Sequence, residues 1–172
     1  MAAKREIELA VFASGRGSNL QAIIDAAEAR KIDAQISFVL SDVEGCYALE
    51  RAQRHKIDSI FIDPKKYLDK EGYDRAILEF LKISPIDLIC LAGFMRLLTP
   101  LFIKEFLGKI MNIHPALLPS FPGLTAQKKA LAYGVKFSGC SVHFVDEGID
   151  TGPLIIQGAV PVRDNDTEET LA

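Results

Sequence analysis

The sequence predicts an α/β fold in one domain: a mainly parallel sheet, helices on both faces, and an antiparallel strand near the C-terminal end. Three observations predict it. Short apolar runs alternate with helical patterns through most of the 172 residues, the signature of parallel strands joined by crossover helices. The run Ile-Asp-Leu-Ile-Cys-Leu at 86–91 is apolar enough for a central strand covered on both sides. The last two strand patterns, 138–145 and 154–162, are joined by only about eight residues. A parallel crossover needs a dozen or more, so one of these two strands runs antiparallel.

In chain order, residues 7–13 (Ile-Glu-Leu-Ala-Val-Phe-Ala) read as a buried strand, followed by Ser14-Gly-Arg-Gly-Ser-Asn19 and a helix. Ser18 with Gln21 three residues on reads as a capping box, and Leu20, Ile23, Ile24 and Ala27 form the apolar stripe. A second strand covers 34–40 and a second helix about 45–55, with a short third strand at 58–62. Tyr73, Ile77, Phe80 and Leu81 mark the third helix, and 86–91 the fourth strand. Thr99-Pro100 is an N-cap followed by proline at the first helical position, with Gly108 as C-cap. A fifth strand occupies 110–114, and a helix runs from about Thr125 to Tyr133 before Gly134. After the last two strands, Thr167 caps a helix with two acids in its first turn. That helix runs for about one turn, too short to stand alone, so the native chain is expected to continue.

Composition narrows the class. The chain is 49% hydrophobic, as expected of a globular protein. Its net charge is -3 with scattered basic residues, which argues against nucleic acid as the partner. No apolar run reaches the length of a membrane span, and the first residues carry no secretory segment. Cys46, Cys90 and Cys140 are odd in number and widely spaced, and read as buried thiols of a reducing compartment, the cytoplasm.

Three constellations carry chemistry. In the first, the glycines of Ser14-Gly-Arg-Gly-Ser-Asn19 open backbone N–H groups at a helix N-terminus to an anion. The third glycine of a dinucleotide fingerprint is replaced by Leu20, so one phosphate fits better than a pyrophosphate. In the second, Asn112 and His114 lie two residues apart on a strand and share a face, suited to polarising a carbonyl oxygen. In the third, the loop Asp146-Glu-Gly-Ile-Asp-Thr-Gly-Pro153 offers Asp150, held between glycines, whose carboxylate near His114 would favour the imidazolium and raise its pKa. Asp146 and Glu147 read as solvated, His143 as structural and His55 as a surface residue. The histidines show no metal-ligand spacing, and no nucleophile motif is present.

Taken together, Ser14-Gly-Arg-Gly-Ser-Asn-Leu-Gln21, Gly93-Phe-Met-Arg-Leu-Leu98, Asn112-Ile-His-Pro-Ala-Leu-Leu-Pro119, Pro122-Gly123, Ser141-Val-His-Phe144 and Asp150-Thr-Gly-Pro153 resemble the folate-dependent phosphoribosylglycinamide formyltransferases of purine synthesis, from about residue 7 onward. The resemblance implies a three-layer α/β/α formyltransferase fold with a seven-stranded, mainly parallel, twisted sheet and one antiparallel strand. It also implies a cis Leu118–Pro119 bond. The implied co-substrate is 10-formyltetrahydrofolate, with no metal, and the implied acceptor is glycinamide ribonucleotide. The chain is expected to be a monomer or homodimer.

By position, the resemblance makes Asn112, His114 and Asp150 the catalytic set. Gly17, Ser18 and Asn19 would hold the ribonucleotide phosphate. Arg75, Met95, Arg96, Leu97, Leu98 and Asn112 would bind the folate. Thr125 stands where the family often has histidine, which implies altered loop contacts. A C-terminal helix and tail of the family, which contribute to the ribonucleotide site, would follow Ala172. Three rival readings stand beside this one. Formyltetrahydrofolate hydrolases share the Asn/His/Asp set. Methionyl-tRNA formyltransferases are a second rival, and a nucleotide-binding module without catalysis is a third.

Overall fold

The computed structural model describes residues 5–172; the leading segment that bears on a secretory signal lies partly outside the described residues. Seven strands form a sheet in the order β3-β2-β1-β4-β5-β6-β7. The chain divides into two units, Met1–Ile110 and Met111–Ala172.

In the first unit, β1 (Ile7–Phe12) lies between β2 (Ala34–Ser41) and β4 (Leu88–Leu91), and β3 (Asp58–Phe61) continues beyond β2. All three pairings are parallel. Ala10, Val11 and Phe12 are inaccessible to solvent, as a parallel strand covered on both faces must be. The covering helices are α1 (Ser18–Glu28), α2 (Tyr47–Arg54), α3 (Lys70–Leu81) and α4 (Pro100–Glu105). Each of the first three buries a stripe at helical spacing: Leu20 and Ile24 on α1, Ala48 and Ala52 on α2, Tyr73, Ile77 and Leu81 on α3. Phe12 anchors the core, edge-on to Phe94 and Phe102 at 5.5 and 6.2 Å between ring centres.

Thr99 caps α4 and Pro100 opens it, as the sequence predicts. The capping box expected at Ser18 does not form. Gly17, with φ of 68°, is the N-cap, and Ser18 is the first helical residue. Cys46 and Cys90 are buried, whereas Cys140 of the second unit is half-buried.

In the second unit, β6 (Phe137–Phe144) runs antiparallel to both β5 (Ile110–His114) and β7 (Leu154–Pro161). The antiparallel strand is therefore β6. α5 (Ala126–Tyr133) ends at Gly134 in the left-handed conformation, and α6 (Glu168–Leu171) begins with a capping box on Thr167. Ser141 organises the turn after β5. Its hydroxyl donates to Ala116 O at 2.7 Å and accepts from Leu118 N at 3.0 Å and Gln157 Nε2 at 2.8 Å. The Leu118–Pro119 bond is cis. No helix among the described residues is long and apolar enough to cross a membrane.

Candidate active site

Strand alternation puts Asn112 and His114 of β5 on one face. The β5–β6 register sets His143 opposite Asn112 and Ser141 opposite His114, so two histidines and an amide share a small area of sheet. Asp150 reaches them from the loop after β6. Its backbone is left-handed, with φ of 56°, a conformation aspartate tolerates better than most residues. The loop closes tightly around it. A side chain on Gly152 would collide with Phe144 O, and one on Gly148 with the Thr151 hydroxyl. Asp146, expected to be merely solvated, folds the loop by accepting from Gly148 N at 3.0 Å and Thr151 Oγ1 at 2.7 Å.

The Asp150 carboxylate is shared. Oδ2 accepts from Gly123 N at 2.7 Å and lies 3.2 Å from His114 Nδ1. Oδ1 lies 3.4 Å from Asn112 Nδ2 and 3.5 Å from His143 Nε2. The second nitrogen of His114, Nε2, donates to Phe121 O at 2.9 Å. Both nitrogens of His114 thus lie within reach of an oxygen, Nε2 of Phe121 O and Nδ1 of Asp150 Oδ2. The pair is well shielded, with side chains 6% and 12% exposed, so water screens it little. This cluster offers N–H donors beside one fixed negative charge, which suits a site that stabilises an oxyanion.

The other expected site residues lie in the first unit. Gly17 caps α1 with no side-chain cap, and the first-turn amides of a helix have no intrahelical acceptor. Ser18 and Asn19 are exposed there. Gly17 packs hard on α2: a Cβ would sit 2.9 Å from Ala48 Cα and Cβ. Arg51 braces the loop, donating from Nε to Arg16 O at 2.9 Å and from Nη1 to Gln21 Oε1 at 2.8 Å.

The segment 95–98 follows β4. Met95 and Leu97 are exposed apolar side chains, suited to an apolar ring. The segment is clamped from behind. Ser14 Oγ accepts from Met95 N at 2.9 Å and donates to Asp42 Oδ1 at 2.6 Å. Asp74 Oδ2 accepts from both Thr99 N and Thr99 Oγ1 at 2.7 Å. The Arg96 guanidinium lies 4.9 Å over the Tyr73 ring. Burial raises the Asp74 pKa, opposed by the Thr99 hydrogen bonds. Arg75 lies on α3, exposed, 3.7 Å from Glu71. Thr125 precedes α5 with φ of 58°, and its hydroxyl donates to Leu124 O at 2.7 Å.

Residues 7–172 match the formyl transferase family profile. The chain belongs to the formyl transferase family.

This formyl transferase chain is 43% identical to the phosphoribosylglycinamide formyltransferase of Bacillus subtilis (strain 168), over 95% of its own length and 84% of that protein. It is 49% identical to the trifunctional purine biosynthetic protein adenosine-3 of Drosophila melanogaster, over 99% of its own length but only 13% of that larger protein. The chain therefore spans about an eighth of that relative's length. The crystal structure of glycinamide ribonucleotide transformylase 1 from Symbiobacterium toebii superposes with a TM-score of 0.95 at 47% identity, covering 97% of this chain and 79% of that one.

Sequence reasoning missed several members of this formyl transferase's site. His143 joins the Asn112 amide, and only its spacing from Ser141 hinted at a shared face. Phe121 and Gly123 act through the backbone, which leaves no side-chain signature. Arg51, Asp74 and Tyr73 brace the glycine-rich loop and the segment 95–98 from neighbouring helices, a relation that only tertiary packing creates.

Proposed function

We propose that this chain is a single formyltransferase domain that transfers the formyl group of 10-formyltetrahydrofolate to the amine of 5'-phosphoribosylglycinamide, in purine synthesis in the cytoplasm. The observation that carries the reading is the buried cluster of Asn112, His114 and Asp150, which offers oxyanion donors beside a carboxylate and no nucleophile. The kinship with phosphoribosylglycinamide formyltransferases supports the substrates.

The amine nitrogen attacks the formyl carbon directly. As the new C–N bond forms, negative charge grows on the formyl oxygen, and the Asn112 amide and protonated His114 donate to it. His114 Nε2 is held by Phe121 O at 2.9 Å, so the developing oxyanion takes this proton in place of the carbonyl. Asp150, 3.2 Å from Nδ1, keeps His114 in its charged form. The bond from carbon to folate N10 then breaks, and the proton lost by the amine reaches N10 with Asp150 as relay. Gly17, Ser18 and Asn19 hold the ribonucleotide phosphate at the uncapped start of α1. Arg75 and residues 95–98, with Asn112, hold the folate. Both substrates are small molecules, neither nucleic acid nor membrane is a partner, and the protein acts as a monomer or homodimer.

The test is to incubate the protein with 10-formyltetrahydrofolate, with and without glycinamide ribonucleotide, and follow tetrahydrofolate. Turnover that requires the ribonucleotide supports transfer. Turnover without it makes the chain a hydrolase, and no turnover in either makes it a binder.

A further inference from the structure

His143 is nearly inaccessible, with a side chain 3% exposed, and is accounted for neither by the core nor by the reaction steps above. It stands opposite Asn112 across the β5–β6 ladder. Its Nδ1 lies 2.9 Å from Phe144 O, and its Nε2 lies 3.2 Å from Asn112 Nδ2. We infer that His143 is a positioning residue that, as the neutral Nδ1–H tautomer, dictates which end of the Asn112 amide faces the reacting oxygen; this rests on the formyl-transfer reading above.

A backbone carbonyl only accepts, so the contact with Phe144 O requires a proton on Nδ1. In a neutral ring the lone pair is then on Nε2. An acceptor at 3.2 Å selects the NH2 end of Asn112 and rejects the carbonyl end. One amide proton is spent on His143. The other points toward Asp150 Oδ1 at a slack 3.4 Å, near the limit of a hydrogen bond. That second proton is the one available to a growing oxyanion.

Were the amide reversed, its carbonyl oxygen would meet both the Nε2 lone pair and the Asp150 carboxylate, and its NH2 would turn away from them, leaving no donor at the position beside Asp150. The two histidines therefore divide the labour around one carboxylate. His114, 3.2 Å from Asp150 with both nitrogens facing acceptors, is the charged donor. His143, 3.5 Å from the other oxygen and facing an amide donor, is the neutral orienter. Sequence alternation alone gives His143 no such role; it comes from the register.

The test is a set of His143 variants in the full-length protein, assayed for formyl transfer. His143→Leu removes the acceptor and should lower kcat by about 100-fold, the scale of losing one aligned oxyanion donor. KM for both substrates should stay within about threefold, since the contact matters only to the transition state. His143→Gln, whose side-chain carbonyl can accept from the amide, should restore most of the activity. The decisive arm is a double variant. If His143 acts through Asn112, adding His143→Leu to Asn112→Ala should cost no more than about twofold.

A His143→Leu kcat within about threefold of wild type, or losses that simply multiply in the double variant, overturns the inference while leaving the transfer reading intact. Absence of ribonucleotide-dependent turnover in the wild type overturns the transfer reading instead. A second measurement needs no variant to fold: nitrogen NMR of histidine-labelled protein should show His143 protonated on Nδ1 and bare on Nε2. The opposite tautomer, or a doubly protonated ring at neutral pH, overturns the assignment.

Discussion

Replacing Asp150 by asparagine is the sharpest single perturbation of the Asn112–His114–Asp150 cluster proposed to be catalytic. The change removes one charge and little else. The side chains match in size, and asparagine accepts a left-handed backbone as readily as aspartate does, so the φ of 56° adds no strain. The amide oxygen can still accept from Gly123 N, as the carboxylate does at 2.7 Å. What disappears is the charge 3.2 Å from His114 Nδ1, between side chains 6% and 12% exposed. With an effective dielectric of about 20, that pair is worth about 5 kcal/mol at most. The share realised only in the transition state is bounded by what an oxyanion donor supplies, about 3 kcal/mol. At about 1.4 kcal/mol per factor of ten, kcat should fall by about 100- to 1,000-fold. KM for the ribonucleotide should hardly move, because the loop at Gly17–Asn19, proposed to hold the phosphate, takes no part in the change. Steady-state assays following tetrahydrofolate over a range of ribonucleotide concentrations at saturating folate read both quantities, with circular dichroism confirming the fold. An Asp150→Asn enzyme within tenfold of wild-type kcat would remove Asp150 from the mechanism.

Other outcomes follow from the first unit. Gly17→Ala places a methyl 2.9 Å from Ala48 at a φ of 68°, so backbone strain of about 1–2 kcal/mol and a displaced loop are expected. Ribonucleotide KM should rise by about tenfold or more, the cost of a misplaced phosphate contact of about 1.4 kcal/mol, and an unchanged KM would take the phosphate off this loop. Tyr73 is 2% exposed, and its hydroxyl has no hydrogen-bond partner among the described residues. Tyr73→Phe should therefore melt no lower than wild type, with a gain of up to about 1 kcal/mol; a marked loss would reveal a partner for the hydroxyl. Asp74 has its pKa raised above 3.8, chiefly by burial. The folded chain then holds the proton more tightly than the unfolded one, so this group's contribution falls as pH rises from the unfolded value through the folded one. Asp74→Asn cannot ionise, so its stability relative to wild type should improve across that window and level off above it. Urea midpoints measured from acid to neutral pH would show the trend, and a relative stability that worsens with rising pH would contradict it.

Much of this architecture was legible one segment at a time. Strand–helix alternation announced the parallel sheet, and the short link before Leu154 announced an antiparallel strand. Thr99-Pro100 and Thr167 marked helix starts that formed as read. These signals are local: a cap needs only its own turn, and a period needs only its own segment. Ser18 shows where local reading fails. It has the right partner for a capping box, but the chain turns left-handed at Gly17, packed against Ala48, and the helix starts one residue earlier.

The sequence by itself determined that Asn112 and His114 share a face, because side chains alternate along any extended strand. It also determined that a glycine-rich turn opens α1. Only the tertiary structure decided what meets them. The β5–β6 register brought His143 opposite Asn112, and the left-handed turn at Asp150 swung its carboxylate onto His114 and Gly123. Pairing register and loop closure join residues about thirty to forty positions apart, at an entropy cost set by the whole chain, and no short window of sequence carries that information.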